Sequence, residues 1–409
     1  MGTTSGTDIA EAKVRLSPEA VTHWTYLDNA ATTRTDPAVV AAMLPFFTQS
    51  FGNPSSAHDF GRAAAAAVGA ARRQVQTLIG AASDDEIVFT AGATEANNAA
   101  LRQALRRESR NEVVTSAVEH PAVLAVLADL EKHNGLVIHR IGVDHFGRLD
   151  MPAYRAALSR RTAMVSIMWA NNETGTLFPI PELATLAHGV GAVFHTDAVQ
   201  AAGKIPIDVQ STDIDLLSLS AHKLHGPKGI GALYVRKATK FRALLRGGRQ
   251  ERARRAGTEN VPGIVGFGAA AALAVERMPS DAERIASLRD RLEYGILAAI
   301  DGSFVLGDTR NRVPGTSCIA FDGADGEELL HRLNQAGIAA SAGSACAAGT
   351  IEPSHVVRAM GVPFTAAHGV LRFSLSRETS DDDIDRVIAA LPAIVAKARE
   401  NSLFAAAAE

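Results

Sequence analysis

Two charged residues, Asp197 and Lys223, stand just beyond the ends of consecutive predicted strands. Asp197 follows the strand Ala192–Thr196, and Lys223 comes shortly after the strand Leu216–Ser220. Ligands of an open parallel sheet bind beyond the carboxyl ends of its strands, so both side chains can reach one crevice. A lysine that forms a Schiff base and an aspartate that pairs with a pyridinium nitrogen are what pyridoxal phosphate requires. Alone, Asp197 is more typical of a capping residue and Lys223 of a surface lysine, but their joint placement favours this cofactor.

A turn of small residues, Ala91-Gly92-Ala93-Thr94, follows the predicted strand Glu86–Thr90 and begins a predicted helix. Free backbone N–H groups and the helix dipole favour an anion at such a position, so the turn can hold a phosphate. By itself the turn is more typical of an ordinary strand-to-helix connection capped by Thr94. The chain has neither a Walker sequence nor Gly-x-Gly-x-x-Gly, which disfavours a nucleoside triphosphate or a dinucleotide.

The two cysteines lie in contrasting surroundings. Cys346 sits within the Gly/Ala/Ser run 339–349, which lacks side chains that pack firmly and therefore indicates a mobile loop with an exposed thiol. Cys318 lies in Thr-Ser-Cys-Ile-Ala-Phe and is typical of a buried strand. Two cysteines cannot form a disulfide framework, which fits a reducing compartment where one thiol can be reactive.

The elements that must position these residues alternate between strands and helices from about Tyr26 to Val235. Apolar strands separated by helices predict a mostly parallel sheet, here of seven strands, covered on both faces. The predicted strands are Glu86–Thr90, Glu112–Ala117, Leu136–Val143, Ala163–Trp169, Ala192–Thr196, Leu216–Ser220 and Gly231–Val235. The predicted helices among them are Thr94–Arg107, Pro121–His133, Pro152–Ser159 and Pro181–His188.

The pattern changes after a long helical region, about Val261–Ile300. Beyond it, a smaller α+β domain is indicated by predicted strands and helices at Cys318–Phe321, Asp325–Ala336, Leu371–Leu375 and Asp381–Arg399. We therefore expect a large domain over residues 26–280 and a small C-terminal domain over residues 281–409 that carries the Cys346 loop. Residues 1–25 are expected to pack with the small domain.

Composition and charge limit the class of protein. The chain has 409 residues, 47% hydrophobic and 21% charged, and its formal net charge of −3 argues against general attraction to nucleic acid or anionic membranes. The arginines within 246–255 are interrupted by Glu251 and have no interleaved aromatic residues, so they make a poor nucleic-acid site. His222 and His225 lack further ligands for a metal. No signal peptide is predicted, and the longest uncharged apolar stretch, Val261–Val275, is short for a membrane span, so we expect a cytoplasmic protein.

Several stretches, taken together and in order from about Tyr26 to Ile394, match one known family. They are Tyr-Leu-Asp-Asn-Ala-Ala-Thr-Thr (26–33), Phe-Gly-Asn-Pro-Ser-Ser (51–56), Glu-His-Pro-Ala-Val (119–123), Trp-Ala-Asn-Asn-Glu-Thr-Gly-Thr (169–176), His-Thr-Asp-Ala-Val-Gln (195–200), Ser-Ala-His-Lys-Leu-His-Gly-Pro-Lys-Gly (220–229), Arg-Ala-Gly-Thr-Glu-Asn (255–260), Ser-Ala-Gly-Ser-Ala-Cys (341–346) and Leu-Arg-Phe-Ser-Leu-Ser-Arg (371–377). The chain resembles the class V aminotransferase family, and specifically the NifS-like (nitrogen-fixation-type) cysteine desulfurases.

The resemblance implies a PLP-dependent transferase (aspartate-aminotransferase-like) fold and a set of site residues. In this set Lys223 binds the cofactor covalently, Asp197 faces its pyridine nitrogen, and Arg372 holds the substrate carboxylate. His120 stacks on the ring and moves protons, and Asn172 approaches both the cofactor and the substrate. The implied cofactor-binding residues also include Ala93, Thr94, Gln200, Ser220, Ala221, His222 and, from the neighbouring subunit of a homodimer, Thr258.

The implied reaction takes sulfur from L-cysteine, releases L-alanine and leaves a persulfide on Cys346. Sulfur would then pass to an acceptor or iron–sulfur scaffold protein, and a transient iron–sulfur contact at Cys346 is compatible with this. A selenocysteine lyase or another class V enzyme is the alternative, because such enzymes could share every site residue except the cysteine loop. Two small departures from the family pattern stand beside functional positions, namely Ala221 where glycine is common and Ala347 where threonine is common.

Overall fold

The structure is a computed structural model that describes residues 24–106, 109–342, 352–400 and 402. Cys346 and nearly all of the N-terminal segment 1–25 lie outside the described residues. The strands are β1 Thr25–Tyr26, β2 Ile87–Thr90, β3 Glu112–Ser116, β4 Val137–Ile141, β5 Thr162–Ser166, β6 Val193–Asp197, β7 Leu216–Ser220, β8 Gly231–Val235, β9 Ser303–Leu306, β10 Thr316–Phe321, β11 Ile338–Ala339 and β12 Val370–Ser374.

Seven of these strands form one sheet in the order β2-β8-β7-β6-β5-β3-β4. The neighbouring pairs from β7 through β4 are parallel, whereas β8 runs antiparallel to both β2 and β7. The prediction of a mostly parallel, seven-stranded sheet is confirmed. Every residue of β2, β3, β5, β7 and β8 is buried, as expected for strands covered on both faces.

Helices cover the sheet and connect its strands. Apart from Gln250–Ala253, a short turn with non-helical backbone angles, the α-helices are Pro37–Met43, Pro45–Thr48, Asp59–Ile79, Ala93–Leu101, Pro121–Asn134, Met151–Ala157, Ile180–Gly189, Val261–Ala299, Gly326–Gln335, His355–Ala359, Phe364–Ala367 and Asp381–Glu400. The helix predicted over Thr94–Arg107 is α-helical only to Leu101, after which Arg102–Arg106 tighten into a 3₁₀ turn. Strand β2 begins at Ile87 rather than Glu86, because the Glu86 side chain turns back to close a capping box with Ser83.

A second core lies under a smaller pair of sheets. An antiparallel sheet has the order β12-β10-β9, and a parallel pair joins β1 to β11. Leu27, which directly follows β1, is fully buried in this core with Leu292 and Phe373. The N-terminal strand thus packs with C-terminal elements, and the expected boundary near residue 280 falls inside the helix Val261–Ala299.

The 39-residue helix Val261–Ala299 spans both cores. Among the described residues it is the one helix with the length and apolar composition of a membrane span. Half of its most apolar stretch is buried within the fold. A Cβ added at Gly268 would stand 2.5 Å from the Ala71 Cα, so glycine is needed where this helix crosses Asp59–Ile79. Such burial is typical of a core helix.

A buried ion pair fixes the turn that precedes this helix. Both Glu251 oxygens accept hydrogen bonds from the Arg72 guanidinium at 2.7 Å, and one also accepts from the Phe89 N–H at 2.9 Å. Residues 251–253 all have positive φ, between 48° and 60°, a conformation that non-glycine residues rarely adopt. The pair therefore holds an unfavourable turn against the strand β2.

Replacing Arg72 with methionine should destabilise the fold, because it leaves the Glu251 carboxylate buried without its cation. We expect a loss of about 3–5 kcal/mol. Arg140→Met is the matched control, since the Arg140–Glu131 pair is about 40% exposed and should contribute under about 1 kcal/mol. Urea unfolding of the two apoproteins at one concentration measures both changes, and equal losses would contradict a structural role for the Arg72–Glu251 pair.

Candidate active site

A cavity of about 390 Å³ opens at the carboxyl ends of β2, β6 and β7. Ten of the predicted site residues line it, namely Ala93, Thr94, His120, Asn172, Asp197, Gln200, Ser220, His222, Lys223 and Arg372. These residues are separated by up to 279 positions in the sequence (372 − 93). The large sheet brings most of them together, and β12 of the smaller sheet adds Arg372. Ala221 and Thr258 lie outside the cavity lining, and Cys346 lies outside the described residues.

The turn after β2 presents a helix N-terminus to the cavity. The helix Ala93–Leu101 has Gly92 as its N-cap, with no side chain bonded to its first N–H groups. Thr94 is therefore not the capping residue, and the ordinary explanation of this turn does not hold. Uncapped N–H groups beside the Ser220 and Thr94 hydroxyls are suited to an oxyanion such as phosphate.

Asp197 is held at the end of β6 by two donors. The Asn97 side-chain N–H₂ donates to Oδ2 at 2.7 Å, and the Val199 N–H donates to Oδ1 at 3.0 Å. Asn97 was not identified from the sequence, although it lies one turn beyond Thr94 on the same helix. Its Oδ1 atom is buried and has no partner among the described groups. The carboxylate is thus fixed in orientation and is only 7% exposed.

The histidine two residues before Asp197 belongs to the layer beneath the cavity. His195 is fully buried between the hydroxyls of Ser166 and Ser218, at 2.9 and 3.0 Å. Burial lowers the pKa of His195 to about 3, so the ring is neutral. It supports the floor of the site and cannot reach a ligand.

Lys223 is oriented by backbone carbonyls from the N-terminal part of the chain. Its Nζ atom donates to the Ala30 and Ala31 oxygens at 2.6 and 2.7 Å. The side-chain N–H₂ of Gln200 donates to the same Ala30 oxygen at 2.9 Å. The stretch 26–33 therefore passes directly over the lysine. This contact gives a physical reason why the stretch matches the family sequence.

Two neighbours of Lys223 lie on opposite sides of the turn. The His222 ring faces the cavity, and its Nδ1 lies 3.1 Å from the Thr32 hydroxyl. Burial, reinforced by the charges of Lys223 and Lys228, lowers the pKa of His222 to about 4. Ala221 points away and is fully buried against Gly226, where an added Cβ would meet the Ala221 Cβ at 2.8 Å. The absent side chain of Gly226 makes room for this alanine, which is the first departure from the family pattern.

His120 is the N-cap of the helix Pro121–Asn134. Its Nδ1 atom accepts the Ala122 N–H at 3.1 Å, so the neutral ring carries its proton on Nε2. Burial is the main cause that lowers the pKa of His120, and Lys223 and His355 act in the same direction while Asp197 opposes them. The side chain thus presents a neutral imidazole to the cavity.

Glu119, which directly precedes His120 in the connection after β3, is fully buried. Its Oε1 atom accepts from the Ser116 hydroxyl at 2.6 Å and from the Met168 N–H at 2.9 Å. Its Oε2 atom has no partner among the described groups. Burial raises the pKa of Glu119 to about 8, so the carboxyl group is mostly protonated at neutral pH.

Arg372 enters the cavity from β12 of the smaller sheet. Its Nη1 donates to the Asn172 backbone oxygen and its Nη2 to Asp28 Oδ1, each at 2.8 Å. The Nε atom is buried and has no hydrogen-bond partner among the described groups. The guanidinium is thus anchored by two contacts, and three of its five N–H donors, including Nε–H, take no part in them.

The segment that contains Cys346 is tied to the cavity at both of its described ends. Before it, Ser341 exchanges two backbone hydrogen bonds with Arg372, at 2.7 and 3.1 Å. After it, the Ser354 hydroxyl contacts both Glu173 carboxylate oxygens at 2.7 and 2.8 Å, and His355 Nε2 lies 2.9 Å from the Glu119 backbone oxygen. Glu173 and His355 themselves line the cavity.

Thr258 lies in a separate depression on the outer side of the turn after β2. Ala91 and Gly229 line both this depression and the main cavity. Thr258 is exposed, and its segment is fixed by the Arg255–Glu95 ion pair at 2.9 Å. Apart from Ala91 and Gly229, no described residue lines both the main cavity and the depression of Thr258.

These groups fit pyridoxal phosphate on the chemistry of the donors alone. An oriented amine, a fixed carboxylate and an uncapped helix N-terminus meet in one cavity, and they match the aldehyde, the pyridine nitrogen and the phosphate. Among residues 24–106, 109–342 and 352–400, no group of three potential metal ligands is found.

Comparison with known proteins agrees with this chemistry. The family model described as aminotransferase class-V matches residues 25–387. A cysteine desulfurase of Gluconacetobacter diazotrophicus is 61% identical over 380 residues, which cover 93% of this chain and 95% of that protein. The cysteine desulfurase NifS of Azotobacter vinelandii is 55% identical over 378 residues, covering 92% and 94%. A solved structure of a NifS-like protein superposes with a TM-score of 0.86 at 34% identity, covering 92% of this chain and 100% of that one.

Glu119 should give the fold a distinctive dependence on pH. A raised pKa means that the folded state binds the proton more tightly than the unfolded chain, where the value is near 4.5. The stabilisation is therefore complete below about pH 4.5 and is lost as the pH rises to about 8. Glu119→Gln cannot ionise, so its melting temperature should rise relative to the wild type between pH 5 and pH 8. The exposed Glu276→Gln serves as control, and a constant offset for Glu119→Gln would contradict the raised pKa.

Proposed function

The chain belongs to the class V aminotransferase family, and we propose that it is a cytoplasmic cysteine desulfurase that uses pyridoxal phosphate and carries sulfur on Cys346. The observation that carries the proposal is the meeting of Lys223, Asp197 and an uncapped helix N-terminus in one cavity. The high identity to cysteine desulfurases supports the choice of reaction.

The residues that hold the cofactor act on its separate groups. Lys223 provides the amine that attaches it, and the N–H of Ala93 with the side chains of Thr94, Ser220 and His222 surrounds its phosphate. Asp197, oriented by Asn97, faces the ring nitrogen, and a carboxylate there keeps that nitrogen protonated. When bound, the cofactor supplies an electron sink that stabilises negative charge at the substrate Cα. Gln200 directs its N–H₂ toward the phenolic oxygen, and Asn172 lies near both that oxygen and the substrate.

The substrate cysteine is held by its carboxylate. Arg372 is a buried cation that lines the cavity from β12 of the smaller sheet, and three of its five N–H donors lie outside its two hydrogen bonds. A guanidinium recognises a carboxylate well because its donors are fixed in one plane. Asp28 and the Asn172 oxygen keep that plane in position.

Two groups of the chain move protons in the proposed reaction. The Lys223 amine, freed when the substrate binds, takes the proton from the substrate Cα. His120 holds its proton on Nε2 and exchanges it with the substrate thiol, as a neutral imidazole near the operating pH can.

Sulfur is then transferred to Cys346. The Cys346 thiolate attacks Sγ of the substrate, the Cβ–Sγ bond breaks, and its electron pair remains with Cβ, which takes up a proton. The products are L-alanine and a persulfide on Cys346. The substrate sulfur becomes the outer sulfur of the persulfide, and of the two thiol hydrogens one ends on the alanine Cβ and one on the persulfide. A sulfur acceptor or an iron–sulfur scaffold protein then takes the sulfur, and iron–sulfur assembly, including that for nitrogenase, is the proposed destination.

The other cysteine cannot perform this step. Cys318 is fully buried in β10, and burial raises the pKa of its thiol far above the usual range. Its neighbour in register is Arg372, but the thiol lies in the core beneath that strand pair. A buried, protonated thiol is neither accessible nor nucleophilic.

A homodimer with shared sites completes the proposal. Four large apolar side chains near the N-terminus, those of Leu44, Phe47, Phe51 and Phe60, are each more than half exposed. Phe51 and Phe60 stack with ring centroids 5.5 Å apart. Such a patch is typical of a subunit interface. Thr258, exposed beside the turn after β2, would meet the phosphate of the cofactor held by the partner.

The two halves of the reaction can be separated by substitution. Cys346→Ala should bind the cofactor and change its absorption spectrum when cysteine is added, yet form almost no alanine. Lys223→Ala should lose both responses. In the wild type an alkylating agent should inactivate at Cys346 and leave Cys318 unmodified, as peptide mass spectrometry can show. Alanine production that survives Cys346→Ala would instead indicate a lyase that releases the chalcogen directly, as a selenocysteine lyase does.

Shared sites can be tested by mixing two variants. Thr258→Ala should weaken cofactor binding by about tenfold, the effect of one hydrogen bond to a charged group. A purified mixed dimer of Thr258→Ala with Lys223→Ala subunits should regain one tight site, since Lys223 comes from one chain and Thr258 from the other. Cofactor titration by absorbance measures this, and a mixed dimer with no tight site would show that Thr258 acts within its own chain.

A further inference from the structure

The carboxamide of Gln200 is fixed at both of its ends. The Lys204 Nζ atom donates to Gln200 Oε1 at 2.6 Å, and the Gln200 N–H₂ donates to the Ala30 oxygen at 2.9 Å. A lysine ammonium can only donate and a backbone carbonyl can only accept, so the two contacts leave one orientation of the amide. In that orientation the N–H₂ group is on the side of the cavity and of Lys223.

Lys204 is an unusual residue to find at this position. It is partly buried, it forms no ion pair with a carboxylate of the described residues, and its side-chain amine donates to Gln200 Oε1. Burial, with the charges of Lys223 and Arg372, lowers the pKa of Lys204 to about 7. A cation placed there without a counter-ion costs stability, so a purely structural role is a poor explanation. Both its charged and its neutral form can donate to Gln200.

We propose that Lys204 is a positioning residue that holds the Gln200 carboxamide with its N–H₂ group toward the phenolic oxygen of the bound cofactor. This inference rests on the proposed function, because it concerns the cofactor expected in the cavity. Without Lys204 the Gln200 Oε1 atom loses its donor, and within the chain the Ala30 contact alone directs the amide. The N–H₂ group is then held less firmly toward the phenolic oxygen, and its hydrogen bond to that oxygen is weakened.

A direct effect of the Lys204 charge is the competing explanation. Lys204 and Lys223 line one small cavity of about 70 Å³, so removal of a cation at 204 acts on Lys223 through space as well. Loss of the donor and loss of the charge both make the nitrogen that joins Lys223 to the cofactor harder to deprotonate. The direction of change therefore cannot distinguish them, but dependence on Gln200 can.

The test is a pH titration of the visible absorption band of four holoenzymes: wild type, Lys204→Met, Gln200→Met and the double variant. We expect Lys204→Met to raise the midpoint by about half a pH unit to one pH unit, the effect of one hydrogen bond. Gln200→Met should raise it at least as much, and the double variant should match Gln200→Met. Lys240→Met, at an exposed lysine, should leave the midpoint unchanged.

The outcomes separate the possibilities. An equal shift from Lys204→Met in both Gln200 backgrounds would assign the effect to charge and overturn positioning, as would no shift in either background. If the wild type has no visible absorption band, or if the band survives Lys223→Ala, the proposed cofactor is contradicted instead. If Lys204→Met loses its cooperative thermal transition, Lys204→Ala takes its place in the same cycle.

Discussion

The contact between residues 28–33 and the turn of Lys223 is the interaction on which the rest of the site depends. On one side, the Thr33 N–H and hydroxyl both donate to the His222 oxygen, and the Thr33 hydroxyl accepts the His225 N–H. On the other side, the Ala30 N–H donates to the Ser374 hydroxyl of β12, and the Asn29 side chain donates to the Ser374 oxygen. One short stretch thus binds the lysine turn of the large sheet to the strand that carries Arg372. A shift of residues 28–33 would therefore displace the Lys223 amine and the Arg372 guanidinium together.

Charge in the cavity is limited by burial. Lys223, Asp197 and Arg372 are the charged groups required for the proposed chemistry, and each has polar partners that fix its direction. The surrounding imidazoles of His195 and His222 are held neutral by desolvation, and Glu119 is held mostly protonated for the same reason. His195, His222 and Glu119 therefore add no charge beside a bound cofactor phosphate or substrate carboxylate.

The sequence predicted the sheet, Asp197, Lys223 and the turn after β2 from local signals, whereas the other predicted cavity residues came from the family resemblance. Asp197 and Lys223 follow strands whose apolar composition is evident, and a parallel sheet brings the ends of such strands to one edge. Asn97, Glu119 and Lys204 were missed because their roles depend on which neighbour each one meets. The carbonyls of Ala30 and Ala31 could not be found at all, since a backbone oxygen has no side-chain signature and its partner lies more than 190 residues away. Strand β1, only two residues long, was missed because it is defined by its pairing with β11.

The arrangement is also compatible with the opposite properties that the proposed function requires of the two thiols. Cys318 lies in β10, where it pairs in register with Arg372 and Leu306 and is sealed from solvent by both neighbouring strands. Cys346 lies in a stretch of small residues whose described ends are tied to Arg372 on one side and to Glu173 and Glu119 on the other. Rigid anchors at the cavity and small residues between them are compatible with a thiol that must reach both a buried substrate and an external acceptor. A cysteine fixed in a strand could satisfy the first requirement but never the second.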